Sequence, residues 1–195
     1  MNYSKASVYI LERLQYELSP SLFYHGAHHT LDVLHAVEHL AQKEKVTGED
    51  LILLYTAALF HDAGFLYQYQ NNEHIAVQLT QQVLPKFGYN SDQIDKVNRI
   101  ILATAIPQKP YMHLEKIMCD ADLDYLGRED FFSIGQTLKK EWLAYGIIDS
   151  ENQWNAIQIQ FLEKHHYFTD TAIQNRALKK QEHLETIKKS ISQKK

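Results

Sequence analysis

The 195-residue chain is poor in three residue types: it has one cysteine, Cys119, four prolines and seven glycines. A lone cysteine excludes an intramolecular disulfide and a cysteine-rich zinc site. With so little punctuation the segments between breaks are long, and their apolar residues recur at spacings of three and four instead of alternating. That spacing predicts an all-α fold. Long apolar runs are missing too, since Leu51–Phe60 spans ten residues, well short of the ~20 that cross a bilayer. The N-terminal MNYSKASVYILERL lacks the continuous apolar core of a signal peptide, which gives the expectation of a cytoplasmic protein with no membrane partner. Neither charge dominates. Twenty basic and twenty-four acidic residues give a net charge of −4, with no strong nucleic-acid signal. The oligomeric state is not legible.

What the chain does have is 45% hydrophobic residues and eleven histidines. The length suits one core, so the expectation is a single helical domain over 1–195. Its core motifs lie in 24–126, and the helices of 127–195 complete the same domain. A first helix is expected over Lys5–Leu18, with Val8, Leu11, Leu14 and Leu18 on its inner face. A second runs from near His29 to Lys45, and a central one ends at His61–Asp62, opened by Thr47 and closed by Gly64. Asn71 or Asn72 caps a helix to Leu84, stopped by Pro85, and Ser91 caps another to Ile106, stopped by Pro107. One helix holds Cys119–Gly127, the next spans Asp130–Tyr145, and Ser150 with Gln153 opens another. Thr169 caps a last helix, with Ile173, Ala177, Leu184 and Ile187 facing inward before a basic end expected to fray.

The central stretch LILLYTAALFHD, Leu51–Asp62, poses a physical problem. A helix apolar on all sides is normally buried, and burying an imidazole and a carboxylate at its end is costly unless each finds a strong partner. A metal ion is one such partner. In YHGAHHTLDVLHAVEHL, about 100° per residue puts His29 roughly 60° from the centre of the apolar face and His28, His35 and His39 on the opposite, charged side. His25 lies four residues before His29, one turn away if the helix reaches that far. In CDADLDYLG, Asp122 and Asp124 sit roughly 80° from the buried face and Asp120 roughly 120° away. Geometry alone does not separate Asp122 from Asp124.

Together, His29, His61–Asp62 and the downstream Ala121-Asp122-Leu123 resemble the H…HD…D signature of the HD-domain superfamily of metal-dependent phosphohydrolases. The order, the spacing and the buried helix carrying HD agree over about 24–126. The resemblance implies metal ligands His29, His61, Asp62 and Asp122, with Asp120 in reserve, and Asp62 as the bridging carboxylate if two metals bind. Tyr24-His25-x-x-x-His29-x-x-Asp32-Val33 is similar to a segment of cyclic-nucleotide phosphodiesterases, which implies a general-acid role for His25. Gly26 stands where those enzymes have Asn, and HDAGF lacks the lysine and GYP element of cyclic-di-nucleotide phosphodiesterases. Small stand-alone HD hydrolases are the nearer likeness, and His165-His166-Tyr167-Phe168-Thr169 looks like an element of some of them.

Two imidazoles and two carboxylates suit a divalent metal, with manganese, iron, cobalt, zinc and magnesium all open. The implied reaction is attack of a metal-activated water on a phosphate ester of a nucleotide or similar small molecule, with His25 protonating the leaving group. Arg99, Lys109, Arg128, Arg176 and Lys180 are the available cations for phosphate, and Phe65, Tyr67 and Tyr69 are aromatic candidates for a pocket wall. Two other classes stand beside this one. A di-iron oxygenase would recruit His74 and His113, and a non-catalytic nucleotide-binding module would bind without turnover.

Overall fold

The computed structural model describes residues 1–192, and among these there is no strand. The described residues form nine α-helices: α1 (Tyr3–Glu17), α2 (Ala27–Lys43), α3 (Gly48–Phe60), α4 (Asn72–Val83), α5 (Ser91–Leu102), α6 (His113–Asp122), α7 (Phe131–Ala144), α8 (Glu151–Lys164) and α9 (Asp170–Ser192). Short 3-10 turns follow α3, α4 and α6. No helix among the described residues is long and apolar enough to cross a membrane.

The chain gathers into two units, one of Met1–Pro20 with His25–Asp122 and one of Ser21–Tyr24 with the chain from Leu123 onward. In the first, α3 is the centre, contacted by α1, α2, α5 and α6. Its apolar run is buried as expected of a helix without a polar face: Leu53, Leu54, Ala57, Ala58, Leu59 and Phe60 are all within 1% of full burial. Each of the larger of these side chains contributes about 1.5–3 kcal/mol by leaving water. The buried hydroxyl of Thr56 is satisfied twice: it donates to the Ile52 carbonyl and shares a hydrogen bond with the Tyr89 hydroxyl, each at 2.8 Å.

In the second unit, Tyr24, Leu123, Tyr125, Leu126, Phe131, Leu162, Leu184 and Ile187 share a core. Glu141, fully buried on α7, accepts the Tyr24 amide at 2.8 Å. Thr169 caps α9 through the Ala172 amide. Lys180 is buried as well: its ammonium donates to the Leu162 and His165 carbonyls, and burial pushes its pKa down.

Several expectations need correction. The inner face of α1 is Ala6, Ile10 and Leu14, whereas Val8 is 56% exposed, because the small Ala6 faces inward. Asn90, not Ser91, caps α5, through a reciprocal capping box with Gln93. That helix also stops at Leu102 rather than Ile106. Ile173 on α9 is exposed. The helix expected over Cys119–Gly127 ends at Asp122 and gives way to a 3-10 turn over Asp124–Gly127. The last three residues of the basic end lie outside the described residues.

Candidate metal centre

Three helix ends meet at one place. His29 sits in the first turn of α2, whose N-cap is Gly26. His61 and Asp62 follow the last residue of α3, and Asp122 is the last residue of α6. Two C-terminal ends, each carrying roughly half a negative charge, therefore lie at the same spot against one N-terminal end of opposite sign, and the balance favours a cation there.

Adjacent side chains on one helix diverge by about 100°, so His61 and Asp62 share a focus only if the helix stops between them. It does. His61 keeps helical backbone angles (φ −56°, ψ −41°), and Asp62 leaves them (φ −99°, ψ 8°). A 3-10 turn over Ala63–Leu66 follows, and Gly64 in it fills a different need from the expected helix stop. A Cβ there would lie 1.9 Å from the Asn72 carbonyl oxygen at the start of α4, so only glycine permits this packing. The HD turn is thereby wedged against a second helix.

The Nε2 atoms of both imidazoles reach both carboxylates. His29 lies 3.5 Å from Asp62 Oδ2 and 3.3 Å from Asp122 Oδ1, while His61 lies 3.2 and 3.5 Å from the same atoms. His29, His61 and Asp122 each offer a ligand atom within 4.8 Å of the others. His61 Nδ1 donates to the Ala58 carbonyl at 2.8 Å. A carbonyl only accepts, so this bond fixes the tautomer and leaves a lone pair on Nε2 of the neutral ring. Neither His61 Nε2 nor Asp62 Oδ2 has a hydrogen-bond partner of good geometry, though both atoms are fully buried.

The charges are strongly interdependent. Burial works against a charged His61, yet Asp62 and Asp122 outweigh it and hold the ring protonated well above its ordinary pKa. Burial likewise raises the two carboxylates, and the imidazoles outweigh it: His29 and His61 pull Asp122 down, and His61, His25 and His29 pull Asp62 down. Without a cation, a proton on His61 takes its place. Buried polar atoms lacking partners, a fixed tautomer and a mixed nitrogen and oxygen donor set all fit a divalent metal.

The three aspartates separate. Asp122 faces the imidazoles, Asp120 is fully buried, and Asp124 is gripped by Arg176 at 2.7 and 3.1 Å. His25 precedes the N-cap of α2 and so lies outside the helix. Its ring nonetheless stands 5.9 Å from that of His29 and stacks on Phe65 at 4.2 Å, with Tyr69 at its edge. Tyr67 points away to Arg13, whose guanidinium donates to its hydroxyl at 3.0 Å. His28, His35, His39 and His74 are exposed, and His113 faces Glu44 at 3.5 Å. The bond from His61 to Ala58, the approach of Gly64 to Asn72 and the Phe65 stack carry no sequence signal beyond the residues themselves.

The model of the HD domain family matches residues 26–124, which include every one of these ligand candidates. The chain belongs to the HD-domain family. HD domains form a superfamily of metal-dependent phosphohydrolases and bind divalent metals. This HD-domain chain is also similar to an uncharacterized protein of Clostridium beijerinckii, 26% identical over 105 residues. The matched part is 52% of this chain and 66% of that protein. No solved structure matches it.

Proposed function

We propose that the protein hydrolyses a phosphate ester of a nucleotide or similar small molecule by means of a metal-activated water. The observation that carries this reading is the buried meeting of His29, His61, Asp62 and Asp122, with His61 Nε2 and Asp62 Oδ2 lacking a hydrogen-bond partner of good geometry. These four residues would hold the cation. A divalent ion there supplies charge that lowers the pKa of a water and neutralises a phosphoryl oxygen. The hydrogen bond from His61 to Ala58 keeps that imidazole aimed inward. His25, beside the cluster and held by Phe65, donates the proton that the leaving alkoxide needs.

A screen of nucleotides and simple phosphate esters against manganese, cobalt, zinc, magnesium and ferrous iron tests the proposal. Hydrolysis that a chelator abolishes and added metal restores is the expected result. A protein that takes up metal and hydrolyses no ester would overturn it. Two irons per chain with oxygen consumption would assign oxygenase chemistry instead, and tight nucleotide binding without turnover would assign a binding module.

A further inference from the structure

The end of α3 remote from His61 opens on a cleft of about 370 Å³. The C-terminal end of α2, the start of α3, the body of α5 and the start of α6 form it. At 1.5 Å per residue, the length of α3 sets it roughly 20 Å from the metal cluster. A cleft of this volume is within the range of small-molecule sites.

Its floor is apolar, with Ile100 and Leu114 nearly fully buried. Around the rim the acids are already engaged. Asp50 pairs with Lys96 at 2.6 Å, Glu44 faces His113 at 3.5 Å, and Glu115 accepts the Tyr111 and Met112 amides at 2.8 and 3.0 Å. Two cations are left over. Lys45 and Arg99, both exposed, line the cleft, and their side chains make no ion pair or hydrogen bond among the described residues.

Lys45 adds an independent observation. It follows the C-cap of α2 with φ +58°, in the left-handed region, and its amide and that of Val46 close the helix end on the Gln42 and Ala41 carbonyls. Glycine is the default residue at such a position, because a Cβ strains it. Three residues on, the chain does use glycine for a left-handed conformation, at Gly48. A lysine in a strained backbone conformation at the edge of a cleft, with no partner for its charge, is what a ligand-binding role accounts for.

We propose that this cleft binds a small organic oxyanion, a carboxylate or phosphate on a compact apolar body, with Lys45 and Arg99 holding the charge and Ile100 and Leu114 the apolar part. The site is separate from the metal cluster and does not depend on the reading of that cluster as a hydrolase.

Phenylphosphonate and benzoate, neither of them a hydrolysable ester, are the probes. Each is titrated into the full-length protein in the presence of a chelator while the Ile100 and Leu114 methyl resonances are followed. Saturable shifts at these methyls are expected with at least one probe, and the stronger binder identifies the oxyanion. Arg99→Gln and Lys45→Gly should each weaken that binding about tenfold, the loss of one charge-assisted contact. Lys45→Gly should at the same time raise Tm, because it relieves the left-handed strain. No saturable shift with either probe, or shifts that both substitutions leave unchanged, would overturn the proposal. So would a Tm that Lys45→Gly lowers, since the lysine would then serve the fold and not a ligand.

Discussion

At the start of α3, Asp50 meets Lys96 at 2.6 Å with both side chains substantially in water, 49% and 35% exposed. At its other end, His61 and Asp62 are 1% and 12% exposed and share their neighbourhood with His29 and Asp122. The groups are of the same kind, an acid beside a nitrogen base. Water completes the hydration of the first pair, which is therefore worth about 0–1 kcal/mol. The second pair is largely withdrawn from solvent, and two of its buried atoms lack a hydrogen-bond partner of good geometry. Burial, more than residue type, separates a surface ion pair from a candidate metal site.

The sharpest break of this comparison is paired mutagenesis at the two ends. Asp62→Ala should abolish both metal uptake and ester hydrolysis, whereas Asp50→Ala should leave turnover intact and change stability by about 0.5 kcal/mol or less. Metal analysis and an activity assay on both variants decide it. Next in size is His25→Ala, for which turnover should fall about 10²- to 10⁴-fold while metal content stays at the wild-type level. Equal loss of metal and activity in that variant would make His25 a ligand and not a proton donor.

Gly64→Ala probes the wedge that holds the HD turn. A Cβ 1.9 Å from the Asn72 oxygen must push α4 away, at about 1–3 kcal/mol, so thermal unfolding should shift downward and metal affinity should fall with it. The smallest expected effect is in the pH dependence. In the cation-free protein the His61 pKa is raised, so its stabilisation is full below the unfolded value of about 6.5 and is lost as pH rises through the folded value. Metal ligation needs the deprotonated ring, so bound metal stabilises more as pH rises. Tm of chelated protein should therefore fall above about pH 6.5 while that of metal-loaded protein rises, and parallel curves would count against a shared site.

Helix periodicity made legible what lies within regular helices. About 100° per residue is enough to turn His29 inward and leave His28, His35 and His39 in water, and the all-round apolar run of α3 announces its own burial. The arithmetic fails where a helix ends. Carried through Gly127, it left Asp122 and Asp124 equivalent, but the chain departs from the helix at Leu123 (φ −109°, ψ 19°) and delivers Asp124 to Arg176. The same limit hid how His61 and Asp62 reach a common focus, which depends on α3 stopping at Phe60. Contacts between distant segments, such as Gly64 against Asn72, have no periodic trace at all.

Metal content of Asp122→Asn beside Asp120→Asn, each purified without chelators and checked for native helicity, tests the central claim most directly. Asp122 faces the two imidazoles, and Asp120 is buried two residues away on the same helix. Asp122→Asn should come out nearly metal-free and Asp120→Asn should keep the wild-type content. Metal retained by the first and lost from the second would contradict the site as described.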